Sequence, residues 1–112
     1  MQILNRKNER TAEMGKNEAI EILKLYKTVL ARYIDFDKLY LYGSFAKGNN
    51  NTDSDIDVAI VVDKLDKDYF EITPLIWKLR RDIDLRIEPV ILEKDKDPSG
   101  FLQEITDHGI EI

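Results

Sequence analysis

The chain has 112 residues, enough for one domain around one modest hydrophobic core. Its 22 acidic and 17 basic residues leave a net charge of −5, which argues against a surface that grips long DNA or RNA, because that needs a basic groove. There is no cysteine, so disulfide and thiolate chemistry are excluded. The start, MQILNRKNER, is polar and lacks the apolar segment of a signal peptide. No apolar run approaches the roughly 20 residues that span a bilayer, and the expected location is the cytoplasm.

The first 15 residues are polar and are expected to fray or to order on a partner. Over residues 16–33, Ala19, Ile22, Leu23, Tyr26, Val29, Leu30 and Tyr33 recur at helical spacing and predict an amphipathic helix with that stripe in the core. The alternation Leu39, Tyr40, Leu41, Tyr42 predicts a strand with two unlike faces. Gly43-Ser44 reads as the turn that leaves it, followed by KGNNNTDS at 47–54, a run dense in loop formers. Residues 55–62 read as a second strand, with an apolar end from Val58 to Val62 suited to burial on both faces. A charged loop follows at 63–68. Thr73-Pro74 looks like an N-cap and first-turn proline of a short helix through Leu79, with a start one turn earlier, near Tyr69, as the alternative. Residues 83–92 read as a third strand, with Ile83, Leu85 and Ile87 on one face and Asp84, Arg86 and Glu88 on the other. Pro89 cannot donate to a ladder and marks an edge or a bulge. Asp97-Pro98 opens a last helix through His108, Gly109 stops it, and Ile110 to Ile112 form a short strand. The expected architecture is one α/β domain over 1–112, a mixed β-sheet with helices packed mainly on one side.

The chemistry concentrates between Leu41 and Val62. Asp55 and Asp57 are two apart on a strand, so both carboxylates project from one face. Two close negative groups repel unless a cation lies between them, and a hard divalent ion such as magnesium takes carboxylate oxygens together with substrate phosphates. Gly43 lets the backbone turn tightly so that its amides approach an anion, and Ser44 adds a small hydroxyl donor.

Gly43-Ser44, ten further residues, then Asp55-Ile56-Asp57 resembles the signature of the nucleotidyltransferase superfamily related to DNA polymerase beta. The run IDLRIEP at 83–89 is similar to the strand that supplies that family's third catalytic aspartate. The resemblance covers about residues 38–92, and the size is similar to that of the minimal nucleotidyltransferases, which often pair with a HEPN-domain partner. It implies a small nucleotidyltransferase fold in which Asp55, Asp57 and Asp84 hold two magnesium ions. Asp84 is then also the acceptor of the hydroxyl proton, Gly43 and Ser44 form the triphosphate cradle, and Lys47 assists with phosphate. The implied reaction is transfer of a nucleoside monophosphate, AMP from ATP, to a hydroxyl. The implied setting is an antitoxin that modifies a HEPN toxin. Two alternatives stay open: a small-molecule acceptor, as in the antibiotic-modifying enzymes, and a non-catalytic antitoxin that masks its partner. The acceptor is expected to come from another molecule or from a dimer mate, with no long nucleic acid and no membrane involved. Arg86 is read as holding Asp84 or Asp57, and Glu88 is left between a metal contact, a substrate contact and a supporting role. Tyr40 and Tyr42 read as packing, Trp77 as core or partner contact, and His108 as a solvated helix end.

Overall fold

A computed structural model describes residues 15–65 and 69–112. The expectation for the chain's first residues therefore lies outside the described residues, Gly15 excepted, as does part of the 63–68 loop.

Helix α1 (Lys16–Leu30) forms where the apolar spacing predicts it and buries Ala19, Leu23, Tyr26 and Leu30. It ends before Tyr33, which is 59% exposed and not part of the core stripe. The chain then runs through β1 (Lys38–Tyr42), a one-turn helix α2 (Ser44–Lys47) and β2 (Ile56–Val62). Next come α3 (Tyr69–Leu79), a 3-10 turn over Arg80–Asp82 and β3 (Ile87–Glu93), and last α4 (Phe101–His108) and β4 (Ile110–Glu111).

The four strands lie in the order β3-β2-β1-β4. β1 is antiparallel to β2 and β4, and β2 is parallel to β3, so the sheet is mixed as expected. Its two faces follow from residue parity. Leu39, Leu41, Ile56, Val58, Ile60 and Ile87 point to the main core under α1 and α3. Tyr40, Ala59 and Val61 point to the other face, where Leu102 and Ile105 of α4 cover them. Among the described residues most helical mass thus lies on one side, with α4 on the other. The Tyr26 hydroxyl ties the large layer together by donating to the Ile76 carbonyl at 2.7 Å. That buried hydrogen bond joins α1 to α3.

Three expectations shift. Helix α3 begins at Tyr69, the earlier alternative, so Pro74 sits inside the helix rather than in its first turn. Helix α4 begins at Phe101, and Asp97 caps it from outside, accepting from the Leu102 and Gln103 amides at 2.8 and 2.9 Å. The third strand begins at Ile87, not at Ile83. Ile83 fits two periods, continuing the helical spacing from Ile76 and Leu79 as well as the alternation with Leu85 and Ile87. The helical continuation wins locally: the Arg80 carbonyl accepts from the Ile83 and Asp84 amides at 3.0 and 2.9 Å, and Leu85 is 66% exposed. Arg80 also stacks 4.9 Å above the Trp77 ring and donates to the Leu85 carbonyl, which fastens this turn from the side-chain end.

β3 is an edge strand, as Pro89 suggests. Ile56 donates to the Arg86 carbonyl and Lys94 to the Val62 carbonyl, each at 2.8 Å, so even-numbered backbone groups face β2 and odd-numbered ones face the open edge. The missing N–H of Pro89 therefore costs the ladder nothing and makes the edge a poor template for another strand.

Candidate active site

Register brings the distinctive side chains into one row. Tyr42 of β1 lies opposite Asp57 of β2, and Asp57 lies opposite Glu88 of β3. All three belong to the face that carries Tyr40, Ala59 and Val61, away from α1. Asp55, two residues before Asp57 and just ahead of β2, feeds the same face. α4 covers the far part of this face, and Phe101 at its start meets the Tyr42 ring edge-on, 5.5 Å between centroids and 85° between planes.

Electrostatics gather at the same row. Partial burial raises the Asp57 pKa, and the neighbouring Asp55 charge raises it further. Glu88 is raised by desolvation, then by the charges of Asp55 and Asp57 and a hydrogen bond with Asp55, while the Arg80 charge opposes the rise. Tyr42 is pushed up to about 12, by burial first and then by Asp57 and Glu88. The neighbouring carboxylates thus oppose the ionisation of both Asp57 and Glu88.

Gly43 has a specific job at this row. Its backbone, φ 75° and ψ −150°, lies in a region that is essentially glycine-only. A Cβ there would overlap Asp57 Oδ2 and come within 3.2 Å of the carboxylate carbon. The turn thus runs directly against Asp57. Ser44 opens α2, Lys47 closes it and is exposed, and the Lys47 amide donates to the Gly43 carbonyl at 3.1 Å. The polar loop that follows is ordered by its own side chains. Asn51 Oδ1 accepts from the Asp53 amide at 2.8 Å, and Ser54 Oγ accepts from the Asn51 amide at 2.9 Å.

Asp84 does not join this row. It lies in the turn before β3, where both its oxygens are taken by Arg86. Oδ1 accepts from the Arg86 amide at 2.9 Å and from Nε at 3.0 Å, and Oδ2 from Nη2 at 2.6 Å. Those bonds hold its carboxyl below the usual range. The expected shared face of Asp84 and Glu88 fails because the strand starts three residues later than Asp84. Glu88 occupies the row position instead. The sequence left this open: the doubled periodicity at Ile83 does not say where the strand begins, and Pro89 marks only the strand's open side.

Among the described residues no three acidic or imidazole groups close into a metal cage by themselves. Asp55 and Asp57, with Glu88 beside them, instead make an open, like-charged oxygen set. Such a set suits a magnesium-type ion, which uses one or two carboxylates and completes its shell with substrate phosphates and water. The donors present therefore fit a hard divalent cation.

The family model described as "Polymerase beta, Nucleotidyltransferase" matches residues 17–112, and the chain belongs to that family. It is 30% identical over 99 residues to "Putative protein adenylyltransferase MJ0141" of Methanocaldococcus jannaschii, covering 85% of this chain and 99% of that protein. A solved structure of a putative nucleotidyltransferase from Sulfolobus solfataricus superposes with a TM-score of 0.63 at 17% identity, covering 91% of this chain and 84% of that one. At that identity the likeness is one of fold. No helix among the described residues is long and apolar enough to cross a membrane.

Proposed function

We propose that this nucleotidyltransferase transfers AMP from ATP to a hydroxyl of a partner protein, as the antitoxin of a HEPN toxin pair. One observation carries the chemistry: Asp57 pairs in register with Glu88 and sits against the Gly43 turn. The name of the Methanocaldococcus jannaschii relative, a protein adenylyltransferase, supports a protein acceptor. The acidic balance supports an acceptor other than long nucleic acid. The open face beside Glu88 suits an acceptor presented by another molecule, a toxin or a dimer mate.

Asp55 and Asp57 would hold magnesium, two ions in the full complex, with Glu88 taking the third position that the sequence alone assigns to Asp84. Bound there, magnesium supplies positive charge to the phosphates and to the attacking oxygen. Gly43 and Ser44 receive the triphosphate, with Lys47 on the same turn. The acceptor oxygen bonds to the α-phosphorus, the bond from that phosphorus to the bridging oxygen breaks, and pyrophosphate leaves. The Glu88 carboxylate takes the hydroxyl proton. Asp84 and Arg86 hold the turn from which β3 starts.

The test uses the purified chain with magnesium, α-labelled ATP and the partner that co-purifies with it. Label is expected on the partner and is expected to vanish with Asp57→Ala. Full neutralisation of the partner by the Asp55→Ala, Asp57→Ala double variant, with no label at any time, would overturn catalysis in favour of masking.

A further inference from the structure

Tyr42 is more than packing. It stands in the carboxylate row, opposite Asp57 and on the side away from Glu88. The row therefore has a direction, Glu88–Asp57–Tyr42, across three strands. An in-line displacement needs its attacking and leaving oxygens on opposite sides of the phosphorus. The Gly43-Ser44 turn follows Tyr42 directly, so the leaving group belongs at the Tyr42 end and the acceptor at the Glu88 end. Cross-strand neighbours have Cβ atoms about 4.5–5.5 Å apart, so the Tyr42 ring rises alongside the Asp57 carboxylate. Phe101 fixes the ring edge-on. Among the described residues the Tyr42 hydroxyl has no hydrogen-bond partner. It is a neutral donor without an acceptor, at the end of the row where an anion would arrive.

We propose that the Tyr42 hydroxyl donates a hydrogen bond to the triphosphate on the leaving-group side of Asp57. This rests on the reading of Asp55 and Asp57 as the metal pair and of Gly43-Ser44 as the phosphate turn. Tyr42 then steadies the departing pyrophosphate, while Glu88 serves the incoming hydroxyl at the other end.

Tyr42→Phe removes only the hydroxyl and keeps the contact with Phe101. The probe is α,β-methylene-ATP with magnesium, titrated calorimetrically into the full chain. Tyr42→Phe is expected to bind it about tenfold more weakly, the size of one hydrogen bond to a charged group, with the melting temperature of the metal-free protein unchanged. Affinity within about twofold of the parent's, well under the 1.4 kcal/mol that a tenfold change represents, would overturn the proposal. So would a matching fall in the metal-free melting temperature, which would assign the hydroxyl to the fold. Asp57→Asn is run beside it. If Asp57→Asn binds the probe like the parent, the metal-pair reading fails; if it loses binding while Tyr42→Phe does not, only the role of Tyr42 fails.

Discussion

Glu88→Gln is expected to cut label transfer to the partner by at least about 100-fold, the usual contribution of a positioned proton acceptor. Its metal-free melting temperature is expected to be no lower than the parent's, because the change removes one of three mutually repelling charges. Asp84→Asn should behave in the opposite way. Transfer should stay within about tenfold of the parent, a change of 1.4 kcal/mol in the barrier, while stability at neutral pH falls. The Asp84 side chain is 15% exposed and Arg86 holds both its oxygens, so its folded pKa is depressed. A depressed carboxylate contributes stability above its unfolded pKa and loses it as pH falls through the folded one. The deficit of Asp84→Asn should therefore be full at pH 7 and shrink below about pH 4, the ordinary aspartate range. Paired assays and melts across pH separate the two carboxylates. Loss of transfer in Asp84→Asn with retention in Glu88→Gln would restore the assignment made from sequence.

Gly43→Ala is expected to damage fold and site together. The backbone conformation at Gly43 is strained for any residue with a Cβ, at a cost of about 1–3 kcal/mol. The added methyl also meets the Asp57 carboxylate, which must move away. Transfer should fall at least about 100-fold, because displacing a reacting group by about an ångström costs that much. A melt and a transfer assay check both limbs. Gly48→Ala makes the control, since Gly48 also has positive φ, 78°, but has open space where its Cβ would be. It should share the strain and keep most of the activity. Equal activity losses in the two variants would mean that contact with Asp57 is not what glycine serves at position 43.

The strands that carry Asp57 and the glycine turn were legible because both signals are local. Alternation at 39–42 fits the strand period, and the apolar run at 58–62 is short, rich in β-branched residues and bounded by polar loops, which marks a strand rather than a helix. The face of Asp57 followed from parity alone. The third carboxylate was not legible in the same way, because a choice between Asp84 and Glu88 depends on where β3 begins. That boundary is set by hydrogen bonds accepted by the Arg80 carbonyl and by the Asp84–Arg86 clamp, contacts that depend on how the helix end and turn fold up together. The early start of α3 was obscured by Pro74, whose usual position is a helix's first turn. Tyr42 was hidden for a different reason. An aromatic residue on a strand normally signals packing, and only the pairing register with Asp57 sets it apart.

Everything turns on which carboxylates gather around the cation. Crystals grown with manganese and α,β-methylene-ATP, measured for anomalous scattering, answer this directly. The expected manganese peak lies on Asp55 and Asp57, with Glu88 facing it across the strand and Asp84 still bound to Arg86. A peak on Asp84, with its bond to Arg86 broken and Glu88 turned to solvent, would contradict the account.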